Sequence, residues 1–370
     1  MKLKLIKKTF LSSLRKIQGV AEKNPVVSST SNVLIEAKKD AIVLEATNFE
    51  VGIIVMCNAE VKETGKVVVD ARKVYEIIKE LPEGEVSVEK KDSGWLEIKQ
   101  KEKIVFNLAG QAEEDFKKVE IEEGIKLYEI GAKGVGELIK KTVYATSGDR
   151  TREALRGVLM EKEGAVLRMV ATDGHRMALA EKSVLGGEGI ETAGKVILPE
   201  KGAKEIRDLS EEEGEGKIEI GIGEKSVVVK GGGETLLVRL IDGEFPDYKK
   251  VIPQNNEKRI IIKTGETKES LRRVTLLAEE ETREIIFNVK ENKMVVSSRK
   301  TGQGEAREER EVEYEGEEVE FGVNSRYIVD ALSVMGGEKA TIEVSDGKTP
   351  ILLREEGTEK TIAVIMPMIL

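Results

Sequence analysis

The sequence predicts an α+β protein made of three copies of one domain, each holding two helices packed on antiparallel sheets. Three observations predict it. A strand–helix–strand unit is written at 67–88 (VVVDARKVYEIIKELPEGEVSV), 196–220 (VILPEKGAKEIRDLSEEEGEGKIEI) and 319–344 (VEFGVNSRYIVDALSVMGGEKATIEV). The spacing of about 125 residues is far longer than that of any solenoid repeat. A basic helix leading into a strand precedes each unit: TFLSSLRKIQG then NVLIEA, GVGELIKKTVYATS then RGVLMEK, TKESLRRVTLLAEE then EIIFNVK. Each copy then closes on an apolar strand, starting at Ile104, Leu236 and Ile362. The polar joints at 117–124 and 249–258 place the domains at 1–121, 122–249 and 250–370.

Taken in order, the first helix has Phe10, Leu11, Leu14 and Ile17 on one face, with Lys7, Lys8, Arg15 and Lys16 off it. In the next helix Val74, Ile77, Ile78 and Leu81 repeat that spacing and leave Arg72, Lys73 and Lys79 toward solvent. VLIEA, VVVD and TLLVRLI alternate or run apolar as strands do. Turn signals separate them at Pro82-Glu-Gly84, Gly186-Gly187, Gly231–Gly233 and Gly336-Gly337. Sheets carrying helices on one face fit this order.

The 370 residues carry a net charge of −9, and 35% are charged, as expected of a well-solvated surface. A single cysteine, Cys57, excludes a disulfide framework and points to a reducing compartment. Lys4, Lys7 and Lys8 interrupt the apolar run that a signal peptide needs. VGIIVMC and AVIMPMIL fall well short of the roughly 20 residues that cross a bilayer. The expectation is a cytoplasmic chain with no membrane contact. Charge is segregated: the helix windows at 7–19 and 133–152 are basic, the other four balance, and the remainder is acidic. Helices gathered on one surface would attract a polyanion there, whereas lysines on exposed helix faces are also what ordinary solvation produces.

Catalytic constellations are missing. His175 is the only histidine, so a histidine metal site or a nucleophile triad lacks partners. GIGEKS at 221–226 resembles a phosphate loop faintly, but Glu224 stands where glycine is needed and the segment lies between strands. The carboxylate runs 211–213 and 279–281 read as solvated faces. No cofactor and no metal is called for.

ATDGHRMALAE (171–181), EFPDYKKVIP (244–253), FGVNSRYIVDAL (321–332) and the terminal MPMIL (366–370) closely resemble the bacterial DNA polymerase III β subunits, the β sliding clamps, in the same order and spacing along the whole chain. The resemblance implies the DNA clamp fold and a head-to-tail homodimer whose six domains ring duplex DNA. It implies a processivity factor, not an enzyme, that tethers the polymerase α subunit and docks the clamp loader and repair proteins through short linear motifs.

Position by position, it implies a peptide pocket walled by Leu155, Thr172, Gly174, His175, Arg176, Met177, Pro246, Val251, Asn324, Tyr327, Val364, Met366, Pro367 and Met368. DNA would face Lys23, Arg72, Arg150, Lys201 and Arg283, and the subunit joint would set Phe106 and Leu108 beside Leu276 and Leu277 on the third domain's first helix. Three departures stand out. Ile369 replaces the family's usual basic residue, Lys117 replaces a proline after Phe116, and VVSSTSN (26–32) is unusually polar. The competing reading is an enzyme using Asp173, His175 and Arg176 on a phosphorylated substrate; another is a structural three-domain protein with no nucleic-acid role.

Overall fold

The computed structural model describes residues 1–22, 27–101, 103–184, 186–187, 190, 194–357 and 360–369. The first repeat runs β1 (Lys2–Ile6), α1 (Lys7–Val20), β2 (Asn32–Lys38), β3 (Ala41–Thr47), β4 (Val51–Asn58), β5 (Glu60–Glu63), β6 (Gly65–Asp70), α2 (Ala71–Glu80), β7 (Glu85–Lys90), β8 (Leu96–Gln100) and β9 (Ile104–Leu108). The second runs β10 (Tyr128–Gly131), α3 (Ala132–Lys140), β11 (Gly157–Glu163), β12 (Val166–Thr172), β13 (Arg176–Ser183), β14 (Val196–Pro199), α4 (Glu200–Glu213), β15 (Lys217–Ile222), β16 (Ser226–Gly231) and β17 (Glu234–Arg239). The third runs β18 (Lys258–Lys263), α5 (Thr264–Val274), β19 (Glu284–Lys290), β20 (Lys293–Lys300), β21 (Gly304–Glu311), β22 (Val319–Asn324), α6 (Ser325–Val334), β23 (Lys339–Val344), β24 (Ile351–Glu355) and β25 (Thr361–Ile365).

One hydrogen bond fixes the register of the three repeats. The first amide of each leading helix donates to the carbonyl just before a strand: Lys7 to Gly84 at 2.9 Å, Ala132 to Gly216 at 3.1 Å, and Thr264 to Glu338 at 2.9 Å. The buried faces agree too. Leu14 and Ile17, Ile139 and Thr142, and Leu271 and Val274 all lie inside. Asp70 and Asn324 cap α2 and α6 by accepting from Lys73 N (2.8 Å) and Arg326 N (3.0 Å), each cap worth about 1 kcal/mol.

By contacts the chain divides into two units, Met1–Lys133 with Leu185–Ala193 and Lys204–Leu240, and Gly134–Val184 with Gly194–Ala203 and Ile241–Leu370. The first unit contains a five-stranded sheet, β5-β1-β7-β8-β9, and an eight-stranded sheet, β10-β15-β16-β17-β4-β3-β2-β6. The second contains β14-β11-β12-β13-β25-β24-β23-β18 and a four-stranded sheet, β21-β20-β19-β22. Every paired strand is antiparallel. Its third-repeat core packs Phe287 on Phe321, with ring centroids 4.9 Å apart, among buried Leu271, Ile285, Val323 and Ile342.

The sheets cross from one repeat to the next. In the first unit β17 pairs with β4, with Leu236 opposite Ile53; in the second β25 pairs with β13, with Val364 opposite Met177. The same roles in the remaining repeats fall to β9 and β21, which stand at the outer edges of their sheets.

Three local expectations change. Lys7 is buried and pairs with Glu83 at 3.2 Å, because its position in the first turn of α1 faces the β1–β7 side. α3 ends at Lys140, so that basic helix is shorter than its charge window, and α5 ends at Val274. Leu276 and Leu277 consequently lie in a 3-10 turn, Thr275–Leu277, after the third repeat's first helix and not on it.

Candidate functional site

In the second unit the turn between β12 and β13 is held by its own side chains. Thr172 Oγ1 donates to Arg176 O at 2.6 Å and accepts from Gly174 N at 3.1 Å, while Asp173 Oδ1 accepts from His175 N (2.9 Å) and Arg176 N (3.0 Å). Gly174 sits at φ 91°, where any Cβ would be strained. Gly174 and His175 are therefore exposed at the tip with both neighbours fixed.

Arg176 is buried, and each nitrogen of its guanidinium donates a hydrogen bond. Nε donates to Asp173 Oδ2 (3.1 Å), Nη1 to Asp330 Oδ2 (2.7 Å) and Nη2 to Tyr144 O (2.7 Å). Its Cζ lies 4.7 Å from the Tyr327 ring centre and 5.4 Å from that of Tyr144, within cation–π range. Burial pushes the Tyr144 hydroxyl far above its usual range. Asp173 and Arg176 thus brace the turn. The enzyme reading loses its two principal groups.

Around this turn the pocket candidates assemble. His175 O accepts from Met366 N (2.9 Å), and Gly322 O accepts from Met368 N (2.8 Å), so the C-terminal segment is pinned along the β13 side and the β22–α6 corner. Leu155 is tied by its carbonyl to Ser147 N at 2.7 Å. Met177 and Val364 are 2% exposed and form floor, whereas Met366 and Val251 are each 45% exposed and offer apolar surface. Asn324 spends its side-chain oxygen on capping α6.

Pro246 and Val251 belong to the segment that follows β17. It is anchored by Tyr248, which is buried with Leu159, Met177, Leu179 and Val364. The Tyr248 hydroxyl donates to Glu161 Oε2 at 2.6 Å, and burial with that carboxylate pushes its pKa up to about 12. For Glu161 burial works against the charged form, but Lys195 (2.6 Å), Tyr248 and Arg168 outweigh it and the net shift is downward. Sequence reasoning missed Tyr144, Asp330 and the Glu161–Tyr248 pair; Asp330 shares a helix face with Tyr327, a signal it passed over.

The first unit builds the same turn. Thr47 Oγ1 donates to Val51 O (3.1 Å) and accepts from Phe49 N, Asn48 Oδ1 accepts from Glu50 N and Val51 N, and Arg239 N donates to Glu50 O. Here Val119 packs so closely on Gly52 that a Cβ there would lie 2.7 Å from a Val119 methyl. Val119 thus covers the base of this copy, and its tip residue Phe49 stays exposed, as Gly174 and His175 do in the copy at 172–176.

Family models for the N-terminal, central and C-terminal domains of the DNA polymerase III beta subunit match residues 1–120, 129–247 and 249–369. The chain belongs to that family. The curated beta sliding clamps of Pseudomonas putida and Caulobacter vibrioides are each 31% identical, over 98% and 100% of both chains respectively. Among solved structures, the DnaN sliding clamp of Pseudomonas aeruginosa bound to griselimycin superposes with a TM-score of 0.92 at 30% identity, and the Caulobacter crescentus pol III beta with 0.89 at 32% identity, both covering 100% of each chain.

The remaining candidates of this beta-subunit family member lie on separate elements. Arg72 is exposed on α2 and pairs with Glu76 at 2.8 Å. Lys201 is in the first turn of α4, while Arg150 and Arg283 lie on exposed turns outside the helices, the latter at φ 48°. Lys23 lies outside the described residues. Phe106 is exposed on edge strand β9 beside half-buried Leu108. Leu276 is 79% exposed, and Leu277 abuts the first residue of β21, Gly304. Among the described residues no cluster could hold a metal ion, and no helix is long and apolar enough to cross a membrane.

Proposed function

We propose that this protein is a sliding clamp: two chains close head to tail around duplex DNA and hold the replicative polymerase to its template. Membership of the beta-subunit family along the whole chain carries this reading. Basic helices facing phosphate bind without reading bases, so contact is weak, salt-sensitive and compatible with sliding. Encirclement, not affinity, retains the ring.

Closure follows from the edges. Two joints within the chain pair the β4-type strand of one repeat with the last strand of the next, and β21 and β9 are the remaining pair of that kind. Carrying the internal registers over sets Ala306 of one copy opposite Phe106 of the other, with Gly304 opposite Leu108. A heterologous contact of this sort closes when the rotation is right.

The open turn at 172–177, with Met366, Val251 and Leu155 around it, is the docking groove for short linear motifs of the polymerase α subunit, the clamp loader and repair proteins. Exposed flexible methionine next to a rigid floor suits an apolar anchor side chain. Ile369, fully exposed, puts one cation fewer at the groove's rim, which favours motifs with fewer acidic residues. Primer extension on circular template with a clamp loader tests the function. Products should lengthen several-fold only when the chain is added, and unchanged lengths would refute the reading.

A further inference from the structure

Resting on the head-to-tail reading above, we infer that Arg273 fastens the closing joint by donating to Gln100 of the second copy. The argument comes from the two joints that the chain already contains. Lys16, Lys141 and Arg273 stand the same number of residues past the first residues of α1, α3 and α5. Lys16 reaches Glu234, the first residue of β17, at 3.1 Å and Glu212 at 2.6 Å. Lys141 reaches Thr361, the first residue of β25, at 3.3 Å and Glu355, at the end of β24, at 2.5 Å. Each internal joint therefore has a cation, Lys16 on α1 or Lys141 just past α3, that reaches the closing hairpin of the next repeat.

Arg273 is the third such cation, and its joint is the one that a single chain leaves open. The exposures agree: the side chains of Lys16 and Lys141 are 16% and 23% exposed, that of Arg273 50%. Its Nε and Nη2 donate to Glu308 on β21 at 3.1 and 2.7 Å, which orients the guanidinium and leaves its other N–H groups available. In the register carried over from the internal joints, Glu308 lies opposite Ile104 of the other copy, and Ile104 pairs with Gln100 across β8 and β9.

Gln100 occupies the place that Glu355 holds in the third repeat. It is 2% exposed, its Nε2 donates to Pro82 O at 2.8 Å, and among the described residues its Oε1 accepts no hydrogen bond. A buried acceptor without a donor is costly, and this one stands where the internal joint places its cation. Docking of a second copy supplies the donor. Glu83, which stands as far past the first residue of α2 as Glu212 does past that of α4, adds favourable charge.

Sedimentation equilibrium of the full chain at several salt concentrations tests this. Arg273→Gln should raise the dimer dissociation constant at least tenfold, Arg273→Lys should recover part of the loss, and Arg272→Gln should leave it near wild type. Gln100→Leu should weaken the dimer too, and joining it to Arg273→Gln should add little, as for two halves of one contact. Gln100→Glu, which restores the acid found at 355, should tighten the wild type but not the Arg273→Gln chain. Wild-type affinity in Arg273→Gln, or full additivity of the two losses, would overturn the assignment. A wild type that stays at 40.8 kDa at every concentration would instead overturn the dimer itself.

Discussion

At the residue scale, Arg176 shows how a conspicuous motif is misread when its chemistry is taken from composition. A histidine, an aspartate and an arginine on one turn suggest acid–base work, yet the arginine is consumed by Asp173, Asp330 and the Tyr144 carbonyl. Arg176→Ala would remove the cation beside Asp173 and leave Asp330 only Arg326 at 3.6 Å; both carboxylates are partly exposed, so we expect a loss of about 2 kcal/mol, below that of a fully buried pair. Urea denaturation would measure it. Peptide affinity should fall with it, because the turn carries Gly174 and His175. The turn itself was legible in ATDGHR, since Thr and Asp at those spacings bond their own backbone. Tyr144 was not, because its role depends on a carbonyl and a ring face that no pattern in GVGELIKKTVYATS specifies.

At the scale of elements, the joints decide the behaviour. Burial raises the pKa of Glu234 although Lys16 beside it pulls the other way. A carboxyl raised in the folded state contributes stability that is fully present below its unfolded pKa and lost as pH rises through the folded value. Glu234→Gln should thus melt with the wild type at low pH and above it at pH 7, with Lys16 keeping Glu212; scanning calorimetry across that range checks the sign. Tyr248→Phe keeps the buried ring and removes one donor from Glu161, for an expected cost of about 1–2 kcal/mol. The same change should loosen Pro246 and Val251 and weaken peptide binding several-fold by fluorescence anisotropy.

The repeat and its helices were readable because amphipathic spacing and strand alternation recur in each copy. Helix ends were less so: Lys7 turned inward and α5 stopped at Val274, outcomes set by packing against β1 and β21 and not by local charge. Strand pairing between repeats was invisible, since β4 and β17 lie far apart in sequence and either could have ended a sheet.

For the whole molecule, the sequence announced three copies, and the family models match all three. Its segregated charge on an acidic chain makes binding strongly dependent on salt, with affinity falling steeply as phosphate contacts are screened. The individual DNA-facing side chains were the least legible feature, because a non-specific interface fixes a basic character and leaves each position free. The most direct measurement of the central claim loads the clamp on nicked circular DNA with a clamp loader, raises the salt, and then cuts the circle once. Encirclement predicts retention on the intact circle and release within the time of sliding to an end. Loss from the circle in high salt, or persistence on the cut molecule, would contradict it.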